Sequence, residues 1–301
     1  MKARDLIILF ALAALWGASF LFMRVSAPVL GPVMLIELRV ALAALALLVY
    51  LVLTGQRMRI LHKWKPYLIL GAVNAALPFC LIATAELHVS ASLAAILNAT
   101  TPLFTALVAW GWAKDAFTLK KSIGLLMGII GVAILVGWDV GGGSAQELLL
   151  SVGCSLLAAL CYGIAGVFSA KYFKGEKPLD MAVGQQLAAA LVLLPFSLFA
   201  WPHQVPGADV VFSVLVLAVV CTAFAYLLYF GLIQNVGAVK TLSVTFLVPV
   251  FGIIWGALFL GEAMTVGGVI GLVIILLSVA LVTNVPLPFR KANPAVTRSK
   301  M

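Results

Sequence analysis

PLFTALVAWGWAKDAFTLKKSIGLLMGIIGVA, residues 102–133, returns 147 residues later as PVFGIIWGALFLGEAMTVGGVIGLVIILLSVA, residues 249–280. In one unbroken register Pro102 falls on Pro249, Phe104 on Phe251, Asp115 on Glu262, Ala116 on Ala263 and Thr118 on Thr265. Ile123-Gly124-Leu125 falls on Ile270-Gly271-Leu272, and Val132-Ala133 on Val279-Ala280. Trp16-Gly17 matches Tyr162-Gly163 at a shift of 146. Shared hydrophobicity alone does not hold one register through an apolar run, a polar turn and a second apolar run. The chain is a tandem duplication. Its halves are read as 1–146 and 147–289, followed by a basic tail, 290–301.

What each half is made of follows from composition. Of the 301 residues 64% are hydrophobic and 10% charged, with a mean hydropathy of +1.19. Soluble domains carry about 25% charged residues, so most of this chain has lipid as its solvent. A helix needs about 20 apolar residues to cross a bilayer. Such runs stand at 6–23, 33–53, 67–86, 90–112, 119–138, 148–169, 180–200, 210–234, 240–260 and 266–285, which predicts an all-α integral membrane protein with ten transmembrane helices. Met1–Asp5 and the run behind them are read as a first transmembrane helix, not a cleaved leader.

The net charge of +9 reads as an orientation signal and excludes a nucleic-acid role. With the N-terminus inside, 17 of the 19 Lys and Arg residues fall on the inner side. They lie at Lys2–Arg4, Arg57–Lys65, Lys114–Lys121, Lys171–Lys177, Lys240 and Arg290–Lys300; Arg24 and Arg39 are the exceptions. Both termini are therefore predicted to be cytoplasmic. An odd number of spans per half places the second copy upside down, giving two inverted five-helix repeats of the kind that build alternating-access sites at the midplane.

The repeat resembles the EamA family of the drug/metabolite transporter superfamily. The likeness rests on Trp16-Gly17-Ala18-Ser19-Phe20, Arg39, the Pro102 run into Trp112-Ala113-Lys114-Asp115-Ala116-Phe117-Thr118, and its echo from Pro249 to Leu260-Gly261-Glu262-Ala263-Met264-Thr265. It covers about residues 5–285. The resemblance implies a bacterial inner-membrane exporter of amino acids, aromatic ones among them, or of other small metabolites. Small multidrug exporters of that superfamily carry a central glutamate in the first helix, where this chain has Trp16 and no acid. That departure argues against a proton-exchanging pump for cationic drugs and suits a facilitator.

Three prolines lie inside apolar runs with a polar residue four positions earlier: Asn74 with Pro78, Asn98 with Pro102, and Thr245 with Pro249. Proline removes the bond to the carbonyl four residues back and kinks the helix. Each freed carbonyl is expected beside a polar side chain, facing a cavity. Asn98 and Thr245 correspond by the repeat, so inversion sets them in opposite halves of one cavity. Thr101 shares the face of Asn98, and Thr222, Tyr226 and Tyr229 share another. Trp16 and Tyr162 are mid-span aromatics, far from the interfacial belts. Trp16, Asn74, Asn98, Thr101, Tyr162, Tyr226 and Thr245 are the expected substrate-binding residues. An uncharged aromatic cavity of this kind suits amino acids and also admits nucleosides or sugars.

Glu37 and Arg39 are the intramembrane charges, functional suspects by their position; two residues apart, they point in different directions, and the alternative is a structural role, with Arg39 snorkelling to the outer interface or pairing between helices. Gly124, Gly128 and Gly131, with Gly252, Gly256, Gly267 and Gly271, read as close-packing faces. No metal ligation, cofactor or nucleotide motif is expected: Cys80, Cys154, Cys161 and Cys221 lack paired spacing, and no P-loop occurs. Ser19 weakly resembles a nucleophile, but His62, His88 and His203 offer it no base, so enzymatic activity is not expected. A non-transporting scaffold is the remaining alternative. The expected partners are a small-molecule substrate and the bilayer; oligomeric state is left open.

Overall fold

The computed structural model describes residues 2–56, 58, 60–137, 144–202, 205–241 and 243–283. The basic tail 290–301, the glycine run 141–143, Arg57, Arg59 and His203 lie outside the described residues. Those described are helical, with no strand among them. Among the described residues nine helices are long and apolar enough to cross a bilayer: α1 Ala3–Leu30, α2 Pro32–Leu53, α3 Trp64–Ala85, α4 Ala91–Ala113, α5 Leu119–Gly137, α6 Ala145–Tyr172, α7 Pro178–Ser197, α8 Ala208–Val236 and, last of these, α10 Val266–Thr283. Between the last two, α9 Val244–Leu260 is apolar and shorter, at 17 residues.

Local chemistry sets the ends. Gly31 adopts φ +72° and Pro32 opens α2, so α1 and α2 form a tight hairpin. Ser144 and Glu147 form a reciprocal capping box at the start of α6. Lys114 closes α4 and Gly261 closes α9 in the left-handed conformation, at φ +59° and +66°, and these two residues are 147 apart. Lys114 is the non-glycine residue that takes this conformation among those described.

Two of the expected proline kinks take other forms. In α3 the turn before Pro78 widens into a π-helical segment, Ala72–Ala76, where the Leu77 amide reaches back to the Ala72 carbonyl. At Pro102 the helix breaks: one segment ends at Asn98, and a second starts at Thr101 with Pro102 in its first turn, where a missing amide costs nothing. The third, Pro249, sits inside α9. A second π-helical segment, Val216–Phe224 in α8, contains no proline. Shifted by 147 residues, Ala72–Ala76 falls within it.

The halves pack by exchange. The first helix of each half lies on the fourth of the other, α1 on α9 and α6 on α4; α2 pairs with α7 and α5 with α10. Glycines permit the closest approaches. Gly17 backs onto Phe251 and Gly252, and Gly163 onto Phe104 and Thr105, the same contact under the repeat. Gly124, Gly128 and Gly131 pack on α10, where a Cβ at Gly131 would stand 2.8 Å from Ile275 Cγ1. Gly252 faces Ala95 and Gly256 faces Ser92, so these glycine faces do serve packing.

Candidate functional site

The two widened turns, Ala72–Ala76 of α3 and Val216–Phe224 of α8, both carry buried residues. Widened turns inside α-helices are frequent at functional sites, because they turn polar groups out of the helical ladder. In α8, Thr222 donates to the Leu217 carbonyl, five residues back, at 2.8 Å. Its oxygen in turn accepts from Arg39 Nε at 3.0 Å. The rest of the guanidinium lies over the Phe79 ring, with Cζ 3.7 Å from the centroid, and Nη1 approaches Met23 Sδ at 3.3 Å. Arg39 is 4% exposed. Of the readings of Arg39, snorkelling does not hold: Arg39 contacts Phe79 of α3 and Thr222 of α8, so its stem leads inward.

In α3, Asn74 donates from Nδ2 to Gln185 Oε1 on α7 at 2.7 Å. Gln185 also lies beside the Tyr226 hydroxyl. Tyr226 and Tyr229 flank Trp16, with ring centroids 6.4 and 5.4 Å away. Tyr162 meets Phe79 edge-on at 6.3 Å. The structure therefore gathers Trp16, Asn74, Tyr162, Tyr226 and Arg39 into one polar, aromatic cluster fed by α1, α2, α3, α6, α7 and α8.

Asn98 and Thr101 belong to the broken turn of α4. Asn98 ends the first segment of α4 with a buried Oδ1 that has no partner among the described residues. The Thr101 hydroxyl donates to the Asn98 carbonyl at 2.7 Å, and Thr105 to the Thr101 carbonyl at 2.9 Å. Thr245 is half-buried in the first turn of α9. Glu37 is buried on α2, its Oε2 without a hydrogen-bond partner among the described residues. The Ser19 hydroxyl is directed at the Leu15 carbonyl, 3.4 Å away.

Four members of the cluster escaped the sequence reading as site residues. Thr222 and Tyr229 were legible only as sharers of a helix face with Tyr226. Gln185 carried a signal, since Gln185-Gln186 are adjacent amides within an apolar run. Phe79 carried none. Gln186 is the repeat counterpart of Arg39, and both are buried. No group of three or more His, Cys, Asp or Glu side chains is placed to hold a metal ion among the described residues.

At one end of the bundle, Glu262 from the α9–α10 turn caps the start of α4. Its Oε1 accepts from the Ala91 amide at 2.7 Å, and its Oε2 from the Ser92 amide at 2.9 Å and hydroxyl at 2.5 Å. Ser90 Oγ takes the Leu93 amide. Nearby, Arg24 of α1 donates to the Glu86 carbonyl, and His88 Nδ1 lies 3.8 Å from Glu147 Oε1. At the other end, Lys63 Nζ and His62 Nε2 reach Glu176 at 2.7 and 3.3 Å. The Lys63 hydrogen bond holds the Glu176 carboxyl below the ordinary value. Asp115, the counterpart of Glu262, is exposed.

A duplicated, lipid-facing helical bundle with a polar centre defines a polytopic membrane protein of the transporter class. The chain belongs to the EamA-like transporter family, whose profile matches residues 4–137 and again 149–284. It is similar to the uncharacterized transporter YvbV of Bacillus subtilis, 26% identical over 94% of this chain and 92% of that protein. The uncharacterized inner membrane transporter YedA of Escherichia coli is 26% identical over 91% of this chain and 89% of its own length. A protein of known crystal structure shares the fold, with a TM-score of 0.66 over 94% of this chain and 99% of that one, at 17% identity.

Proposed function

We propose that the protein is a secondary transporter of the bacterial inner membrane that exports small metabolites, amino acids first among them. On this reading ten spans cross the membrane with both termini in the cytoplasm, and the halves 1–146 and 147–289 are inverted copies. Substrate binds at the cluster of Trp16, Asn74, Tyr162 and Tyr226, approached past Asn98, Thr101 and Thr245. Pro78, Pro102 and Pro249 mark where the backbone opens around it. No cofactor and no covalent chemistry are required.

One observation carries the alternating-access mechanism. The two ends of the bundle are chemically equivalent by the repeat but differ in engagement. Glu262 caps the α4 segment at Ala91 and Ser92. Its counterpart Asp115 makes no side-chain hydrogen bond among the described residues, although the repeat sets Ala238, the counterpart of Ala91, as its target. We read the Glu262 contact as made and the equivalent Asp115 contact as released, at the cytoplasmic end where Lys63 still pairs with Glu176. Exchange of one cap for the other would expose the cluster to the opposite side.

Counterflow in proteoliposomes with labelled amino acids, nucleosides and sugars tests this. Exchange of amino acids without an imposed proton gradient is the expected result. Exchange of another metabolite class alone would replace the substrate assignment, strict dependence on a proton gradient would sink the facilitator reading, and no exchange of any solute would remove the transporter reading.

A further inference from the structure

Arg39 is a permanent cation held inside the bundle. It is 4% exposed, and it stands seven residues beyond Pro32, at which α2 begins. Its contacts are a threonine hydroxyl, a thioether sulfur and an aromatic face. None of these is an anion. Arg39 takes no part in the ion pairs His62–Glu176, Lys63–Glu176 and His88–Glu147. A guanidinium offers five N–H donors in a planar fork. Two of its nitrogens have partners here, one of them the weakly accepting Met23 sulfur, and Nη2 makes no hydrogen bond among the described residues.

A buried charge without a counter-ion is costly, and proteins supply an opposite charge wherever one is available. Glu37 lies on the same helix, two residues away, and does not meet Arg39. Thr222 positions the fork from the widened turn of α8, and Phe79 braces it from beneath. Glu86, buried just past the end of α3, acts on Arg39 electrostatically but forms no ion pair with it; Tyr162 and Tyr226 lie close enough to Arg39 to do the same. Those two are also members of the proposed binding cluster.

We propose that Arg39 is the anion subsite of that cluster and receives the carboxylate of the transported metabolite. This rests on the transporter reading and names the recognised group: an organic carboxylate, bound by the guanidinium fork. Its apolar part lies against Trp16, Tyr226 and Tyr229. An amino acid fits with its ammonium group toward these ring faces, which attract cations. Uncharged nucleosides and sugars leave Arg39 unpaired and are rejected.

The test compares matched ligands on the purified full chain. Leucine and phenylalanine are set against leucinamide and phenylalaninamide, which keep the ammonium and the side chain but lack the carboxylate. Thermal unfolding in detergent is expected to shift upward with the acids and not with the amides. In proteoliposomes, Arg39→Gln is expected to raise the apparent KM of the exchanged amino acid by about tenfold or more, with Arg39→Lys between it and the wild type. Equal shifts by acid and amide on the wild type overturn the assignment, and this arm needs no variant to fold. So does an unchanged KM in Arg39→Gln. A wild type that exchanges only uncharged or cationic solutes removes the Arg39 subsite and leaves the transporter reading standing. A wild type that exchanges nothing removes the transporter reading, while the acid–amide comparison still decides the subsite.

Discussion

Gly17 of α1 lies directly on the backbone of α9 at Phe251: a Cβ on Gly17 would stand 2.7 Å from Phe251 Cβ and 2.8 Å from the Gly252 nitrogen. The repeat-equivalent Gly163 meets α4 in the same way, its Cβ position 2.8 Å from the Thr105 nitrogen. These contacts are backbone on backbone, so no flexible side chain can yield. Gly17→Ala and Gly163→Ala are each expected to destabilise by about 1–3 kcal/mol, the ordinary cost of overpacking. Their thermal midpoints in detergent should fall together. A midpoint unchanged in either would show that the helices separate freely there.

Lys114 occupies the left-handed position at which the second half has Gly261. A side chain there crowds its own backbone, and glycine does not. Lys114→Gly is expected to stabilise the protein by about 0.5–1 kcal/mol, and Gly261→Ala to destabilise it by a similar amount. Opposite shifts in the thermal midpoint check the pair.

Glu262 holds both ends of its carboxylate on the start of α4. Charge-assisted hydrogen bonds contribute about 1.5–3 kcal/mol, so Glu262→Gln should lower stability by about that much. Ser92→Ala removes one hydroxyl donor and should cost about 0.5–1.5 kcal/mol. Because the two share one oxygen, the double variant should lose less than the combined cost. On the alternating-access reading, Glu262→Gln also makes a cysteine placed at residue 90 more accessible to an impermeant reagent from outside.

Trp16 and Tyr226 have separable roles. Tyr226→Phe keeps the ring beside Trp16 and removes the hydroxyl that lies beside Gln185; its KM in counterflow is expected to rise by about twofold to tenfold. Trp16→Ala removes the wall itself and is expected to abolish measurable exchange while the protein still folds. Wild-type kinetics in both variants would place the substrate elsewhere.

Glu176 gives a pH signature at the opposite end. Its carboxyl is held below the ordinary value of 4.5, chiefly by the Lys63 hydrogen bond. A lowered value means that the ionised form stabilises the fold, a contribution present above 4.5 and lost as pH falls through the folded-state value. The difference in midpoint between wild type and Glu176→Gln should therefore be present above pH 4.5 and vanish on acidification below it.

Much of this architecture was legible in one dimension. Span positions follow from apolar runs, because lipid forces every backbone group into an internal hydrogen bond. The duplication follows from register. The break at Pro102 and the wide turn at Pro78 were legible as disturbances, though not in kind, since neighbouring packing selects among a kink, a break and a widened turn. The widened turn of α8 has no proline and left no trace in the sequence.

The partners of polar side chains were not legible, and the reason is geometric. Periodicity states which residues share a face, but not which helix lies opposite or how far apart the axes are. Arg39 could be read as an intramembrane charge and not as an inward-pointing one. Its direction depends on α3 and α8 packing against that face of α2. The 147-residue register between 102–133 and 249–280 made the chain a duplicated membrane bundle on local grounds alone. Only the tertiary structure gathered Arg39, Thr222, Phe79 and Gln185 with Trp16 and Tyr226, because these residues come from five helices whose nearness is set by packing across the two halves.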